Sequence, residues 1–369
     1  MPACPVCNHD NPPTALFCAR CTSPVAVVPL HELTDPDRRQ CLAALFEVLA
    51  QASSAPAQSA TIDADLWQAY LSVFWLRPET ALILYAEARA LHALNLSASI
   101  PWLDLGCGDG IHAALYSGWR FDPTFDAFAS LDLAAPDMYN RFDPTQFSVR
   151  IERAGRRVDH GIDIKSTAVA RAQALGIFDH VHQADATALP LPEASIGVIF
   201  SNMLRDLGDP LPAALKECRR VLTDDGVLLL SAMTPAYAPS LYFAPAARQA
   251  EAQGDTERAS QLLKLDRGRS VFCQRQLTTD QWQHLLSAAG LRLHAVHPIV
   301  GDRAIRFWDI GLRPFIHALL AQRQSWQTAN VLREVKPSLL AGLNYLLQPL
   351  LDSLTQGTPC MQLLEVRKQ

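Results

Sequence analysis

The stretch Ile100-Pro-Trp-Leu-Asp104-Leu-Gly106-Cys107-Gly108-Asp-Gly110-Ile-His-Ala-Ala-Leu115 passes from one apolar run to another through three glycines in five residues. The first run is predicted to be a short strand, the glycines a tight turn, and the second run the opening of a helix. Glycine lets backbone approach a ligand closely, and a helix N-terminus offers unpaired N–H groups to a polar or anionic end. The spacing is G-x-G-x-G, preceded by an acid in Leu-Asp-Leu, whereas the dinucleotide fingerprint is G-x-G-x-x-G.

Further strand-and-acid units follow. His160-Gly-Ile-Asp163-Ile164 leads into an alanine-rich helix, and His182-Gln-Ala-Asp185-Ala186 precedes Leu189-Pro-Leu-Pro192. Ser195 to Ser201 reads as a fourth strand running into Asn202-Met-Leu204. Glu217 to Leu222 and Asp224 to Ser231 give the next helix and a fifth strand.

This ordered set over residues 100 to 232 resembles the class I S-adenosylmethionine-dependent methyltransferases of the type 11 kind. The resemblance implies an α/β, Rossmann-like, seven-stranded and mostly parallel sheet with helices on both faces. It implies that Asp104, Gly106, Gly108 and Gly110 surround the methionine moiety, with Cys107 a packed thiol in the turn. Asp163, beside Ile164, would accept from the ribose hydroxyls. Asp185 would accept from the adenine amine, Ala186 would give a backbone contact, and Ser201 would close the fourth strand against the cofactor.

The bulk properties fit such an enzyme. The chain has 369 residues, nearly half apolar, and a formal net charge of -5, which gives no footprint for nucleic acid. No apolar run approaches the ~20 residues of a membrane span. The first residues lack the pattern of a signal peptide, so a cytoplasmic location is expected.

Of nine cysteines, Cys4, Cys7, Cys18 and Cys21 fall in the first 21 residues, while Cys41, Cys107, Cys218, Cys273 and Cys360 are isolated. Two C-x2-C pairs can complete a tetrahedron around structural Zn2+, and so short a segment needs the metal to fold. Residues 1–26 therefore read as a zinc ribbon, which the whole phrase also resembles. Four thiolates suit iron as well. A closed site is not catalytic, and residues 1 to 24 hold Arg20 alone among Lys and Arg. Docking to a protein partner, or to the chain's own catalytic domain, is the role the ribbon suggests, beside that of a folded stub. Residues 27–60 read as a helix (Cys41 to Ala50) and a linker (Gln51 to Ser59), and 61–369 as the methyltransferase domain.

Two segments depart from the resemblance. Gly110 and Asp163 stand 53 residues apart, where the resemblance implies about 20 between the glycine turn and the ribose acid. An aromatic-rich insertion is therefore expected over about 116–158. Near the end, a helix over Leu277 to Gly290 and a strand over Leu291 to Val296 precede a last strand, Cys360 to Val366. About sixty residues lie between those strands, giving a second insertion over about 302–358. Within it Trp308 to Leu320 and Leu332 to Leu354 have helical patterns. Leu339, Leu340, Leu343, Leu346, Leu347, Leu350 and Leu351 form a stripe suited to a core or dimer contact.

Ser201-Asn-Met-Leu204 lacks the N/D-P-P-Y/F signature of amino-group and base methylases. It is more like the branch that methylates an oxygen, carbon or carboxylate of a small, lipid-like or glycan-like metabolite. A macromolecular substrate docked through the ribbon and an inactive cofactor-binding scaffold are the competing readings. Arg205, Asp206, His160 and Tyr242 are candidates to line the acceptor site, and Arg77 to reach the cofactor carboxylate.

Overall fold

The computed structural model describes residues 10–11, 35–54, 63–97, 100–131, 139, 141–266, 275–315 and 329–369. The four ribbon cysteines, Cys4, Cys7, Cys18 and Cys21, lie outside the described residues, as does Cys273. Among the described residues no group of three His, Cys, Asp or Glu side chains is arranged to hold a metal ion. No described helix is long and apolar enough to cross a membrane.

Three helices precede the sheet: α1 (Asp35–Ser54), α2 (Ala64–Val73) and α3 (Pro78–Ala93). Then come β1 (Trp102–Leu105), α4 (Ile111–Tyr116), β2 (Arg120–Phe121), β3 (Ile151–Arg153) and β4 (Val158–Asp163). Next are α5 (Ser166–Leu175), β5 (Phe178–Gln183), β6 (Ile196–Ser201), α6 (Leu211–Val221) and β7 (Leu222–Met233). Helices α7 (Tyr237–Ser240), α8 (Phe243–Ala252), α9 (Thr256–Asp266) and α10 (Thr279–Ser287) lead to β8 (Leu291–Gly301). The chain closes with α11 (Asp302–Phe307), α12 (Ala329–Asp352) and β9 (Pro359–Lys368).

Seven strands form one sheet in the order β5-β4-β1-β6-β7-β9-β8. The pairs β4–β5, β1–β4, β1–β6 and β6–β7 are parallel, while β9 runs antiparallel between β7 and β8. A parallel strand covered on both faces must be apolar throughout, and β6 (IGVIFS) is buried at every position. One face packs on α2 and α3 through Leu66, Trp67, Tyr70, Leu82 and Tyr85. The other packs on α6 and α10, with Leu215, Val221, Trp282 and Leu286 against Leu103, Leu105 and Ile162. From β1 the chain crosses to β4 and β5 on one side, then returns to β6 on the other. That reversal opens a crevice beyond the carboxyl end of β1, the place where open α/β sheets bind ligands.

Several elements differ from the sequence reading. Helix α1 extends beyond Cys41 to Ala50 at both ends, from Asp35 to Ser54, and so enters the stretch read as linker. It buries Cys41, Ala44 and Val48, and Asp37 pairs with Arg258 at 2.7 Å. The penultimate strand runs to Gly301, five residues past Val296, because it pairs along the whole of β9. In the first insertion the β2–β3 ribbon carries an aromatic cluster, with Phe121 stacked on Phe125 at 4.5 Å and Phe147 edge-on to Phe142 and Phe125. In the second, Trp308 to Leu312 forms a π-helical turn rather than a long α-helix. The leucine stripe splits: Leu347, Leu350 and Leu351 enter the core, whereas Leu346 is exposed.

Candidate functional site

The glycine turn is set by its neighbours on the sheet. The amides of Gly106 and Cys107 both donate to the Ile162 carbonyl, at 2.8 and 3.0 Å. Gly108 N–H donates to Asp163 Oδ2 at 2.9 Å, and Lys165 N–H to Asp163 Oδ1 at 2.8 Å. The carboxylate at the end of β4 therefore holds the turn that follows β1. Gly106 adopts φ +82°, and a Cβ there would lie 2.8 Å from Met203 Cβ.

Above the turn lies a cavity of about 470 Å³. Asp104, Gly106, Cys107, Gly108, Asp163, Ile164, Asp185, Ala186 and Ser201 all line it. Gly110 does not. It caps α4 at φ +79°, and a Cβ there would meet the Phe178 ring at 2.7 Å. Its glycine is required by backbone conformation and packing. Ser201 is fully buried, and its hydroxyl donates to the Leu105 carbonyl at 2.7 Å, stitching the ends of β6 and β1 together. Asp185 turns its carboxylate onto Thr187.

The other side-chain candidates mostly fall elsewhere. His160 lies outside the cavity lining, stacked with His180 and His182 on β4 and β5. Tyr242 sits at the start of α8, under the Arg306 guanidinium. Arg77 pairs with Glu79 at 2.8 Å. Arg205 lies behind the cavity wall, while its neighbour Asp206 reaches the lining.

Residues outside the set of candidates complete the wall. Phe74, Thr80 and Leu84 come from the chain around α2 and α3, His112 from α4, Tyr139 from the first insertion, and Asn202 and Met203 from the loop after β6. Behind them Glu87 of α3 is fully buried. Its Oε1 accepts from Ser231 Oγ at 2.6 Å and Arg205 Nη1 at 3.0 Å, and its Oε2 from Asn202 Nδ2 at 3.1 Å. His112 Nδ1 meets the Tyr70 hydroxyl at 2.8 Å, and Nε2 stands 3.6 Å from Glu87 Oε2.

Burial governs protonation here. Burial alone would raise the Glu87 pKa, but the Arg205 guanidinium and the bonds from Ser231 and Asn202 hold it below the ordinary value. Burial pushes His112 down to about 4, so the ring is neutral. Burial, with Asp163 and Glu87 nearby, pushes Asp104 up to about 7 against a bond from Tyr116. Burial also raises Asp163. A cavity this crowded with carboxyl groups stabilises a cation and repels a phosphate.

The strand order, its reversal at β1 and the glycine turn define a Rossmann-like α/β domain with a ligand cavity at the switch point. Residues 145–230 match the family model described as a methyltransferase domain. The match begins within the first insertion and so leaves the glycine turn outside. No curated protein matches the chain. Among similar solved structures is a Thermotoga maritima SAM-dependent methyltransferase, described as a possible histamine N-methyltransferase (15% identity, 63% of this chain and 84% of that chain, TM-score 0.37). A Mesorhizobium loti S-adenosylmethionine-dependent methyltransferase is 17% identical (77% and 98% covered, TM-score 0.38). The [4+2]-cyclase SpnF is 15% identical (89% and 94% covered, TM-score 0.41).

Proposed function

We propose that the chain binds S-adenosylmethionine in this cavity and transfers its methyl group to an oxygen, carbon or carboxylate of a small, lipid-like or glycan-like metabolite. One observation carries the reading: among the described residues, the cavity lining holds five aspartates, Asp104, Asp109, Asp163, Asp185 and Asp206, and one lysine, Lys165. A dinucleotide would bring an anionic pyrophosphate into that field, whereas this cofactor brings a sulfonium and an ammonium. The cofactor supplies a methyl group already on a good leaving group. Asp104, Gly106 and Gly108 would hold its amino-acid end, Asp163 and Ile164 its ribose, and Asp185 and Ala186 its adenine.

The protein's task is then alignment and exclusion of water. Phe74, Leu84 and Met203 make that wall apolar, and Thr80, His112 and Asn202 add polar points, a mixture suited to a metabolite with an apolar body. The first 26 residues, with Cys4, Cys7, Cys18 and Cys21, would hold a structural zinc ion and offer a docking face for a protein partner.

Calorimetric titration of the full-length chain with S-adenosylmethionine, S-adenosylhomocysteine and NAD+ tests the cofactor reading. Binding of the first two without the third is expected. Binding of NAD+ alone, or of none, would overturn it.

A further inference from the structure

The assigned cofactor positions leave part of the cavity over. The sheet order runs β5-β4-β1-β6, with the adenine pair after β5, the ribose acid ending β4 and the glycine turn after β1. Past β6 the lining continues through Asn202, Met203 and Leu207, joined by Phe74, Thr80 and Leu84 from the chain around α2 and α3.

The donors on this side are turned into the wall. Thr80 Oγ1 donates to Glu79 Oε1 at 2.9 Å, and Asn202 Nδ2 to Glu87 Oε2 at 3.1 Å. Both glutamates are buried, at 2% and 0% exposure. Glu87 is held ionised, and a carboxylate only accepts. The Asn202 amide is thereby fixed: Nδ2 faces Glu87, and Oδ1, which accepts from no described residue, is the group left for the cavity. The Met203 and Leu204 amides are also engaged, donating to Ser201 Oγ at 3.2 and 3.1 Å. Lone pairs of Thr80 and Asn202 remain, with Asp206 in the same lining. A carboxylate entering here would set its own lone pairs against these and lose its water without compensation. A hydroxyl would donate to them.

We propose that this side of the cavity selects an acceptor molecule bearing a neutral hydroxyl and rejects a carboxylate, with Asn202 Oδ1 accepting the hydroxyl hydrogen. The inference rests on the S-adenosylmethionine reading and narrows its substrate to a hydroxyl-bearing metabolite with an apolar body. Phe74, Leu84 and Met203 supply apolar surface for that body. Asn202 is then the specificity residue, and its polarity is set by a glutamate more than a hundred residues earlier in the chain.

The experiment uses three matched fragments: benzyl alcohol, which donates, benzyl methyl ether, which only accepts, and benzoate. Ligand-observed NMR measures their affinities for the full-length protein saturated with S-adenosylhomocysteine, which keeps the cofactor part filled. The alcohol should bind about fivefold more tightly than the ether, the order that one neutral hydrogen bond supplies, and benzoate should bind most weakly. Asn202→Leu should erase the advantage of the alcohol while binding the ether no more weakly. Asn202→Ala takes its place if that variant does not fold. Benzoate binding as tightly as the alcohol, an alcohol no better than the ether, or no alcohol binding at millimolar concentration would each overturn the proposal. So would a preference that survives the loss of Asn202. Failure of S-adenosylhomocysteine and S-adenosylmethionine to bind would instead overturn the cofactor reading, and the fragment ranking on the ligand-free protein would still decide the polarity of this side.

Discussion

Arg171 Nη2, on the helix α5 that follows β4, stands 3.3 Å from Asp109 Oδ2 in the glycine turn. The same guanidinium donates to Ser130 Oγ at 2.5 Å and to the Ala127 carbonyl at 3.1 Å, both in the first insertion. Its carbon lies 4.9 Å from the Phe147 ring centre and 5.6 Å from that of Phe142. One buried cation thus fastens the insertion to the glycine turn, and Tyr139 of that insertion reaches the cavity.

Replacing Arg171 with Met should unfasten the insertion and leave Asp109 without this ion pair. Breaking a buried pair costs about 3–5 kcal/mol, so a clearly lowered melting temperature is expected. Limited proteolysis should then cut within residues 118–157 before the sheet. An insertion as resistant as in the unaltered chain would refute the anchoring role.

Asp163→Ala should weaken S-adenosylmethionine binding strongly, because the carboxylate both holds the Gly108 amide and is assigned to the ribose. Calorimetry measures this directly. Affinity equal to that of the unaltered protein would sink the ribose assignment.

Two glycines of the turn should fail differently. Gly110→Ala forces a Cβ to within 2.7 Å of the Phe178 ring at φ +79° and should cost about 1–3 kcal/mol of stability. Gly108 has φ +56°, and a Cβ placed there would meet nothing within 4 Å, so Gly108→Ala should be milder on folding. Because it faces the cavity, it should harm ligand binding more than stability. Denaturant melts paired with calorimetry separate the two effects.

Two buried groups make opposite contributions to pH dependence. The His112 pKa falls from 6.5 to about 4 on folding, chiefly through burial. The folded state then resists a proton that the unfolded state accepts, so this term lowers stability as pH drops through 6.5 toward 4, by roughly 3 kcal/mol in full. The Asp104 pKa rises from 3.8 to about 7, again chiefly through burial. Its favourable contribution is present below 3.8 and is lost as pH rises toward 7. Asp104→Asn removes the second term, so that variant should gain stability more steeply than the unaltered protein between pH 4 and 6.5 in urea titrations. Parallel curves would contradict the Asp104 shift. A cationic ligand favours ionised Asp104, so cofactor binding at pH 6 should release protons. Calorimetry in buffers of different ionisation enthalpy counts them.

Replacing Cys4 and Cys7 with Ser should remove the zinc expected in the ribbon while leaving cofactor affinity within about twofold. Elemental analysis reads the metal. Full stoichiometric zinc in that variant would show that the ligands are other residues.

Local sequence carried much of the domain's plan. Leu-Asp-Leu followed by three glycines specifies a strand and a turn that only glycine can make, and the acids at positions 163 and 185 recur at strand ends. Those features depend on neighbours within a few residues, so nine of the ten cofactor candidates come together in one cavity. Gly110 was legible as a required glycine, but its reason was not: the Phe178 ring that excludes a side chain arrives from a strand 68 residues later.

What only the tertiary structure decided is which polar groups meet. Glu87 sits in a helix buried on several faces, so periodicity assigns it no direction. Its contacts with Asn202, Arg205 and Ser231 span more than a hundred residues of sequence. His160 has the residue type of an acceptor-site group, but its place on β4 puts it outside the cavity lining. Backbone propensity and hydrophobic pattern are local and therefore readable in the chain. The burial and electrostatic pairing that set the charge of Asp104, Glu87 and His112 are long-range, and exist only once the helices before β1 have closed over the sheet.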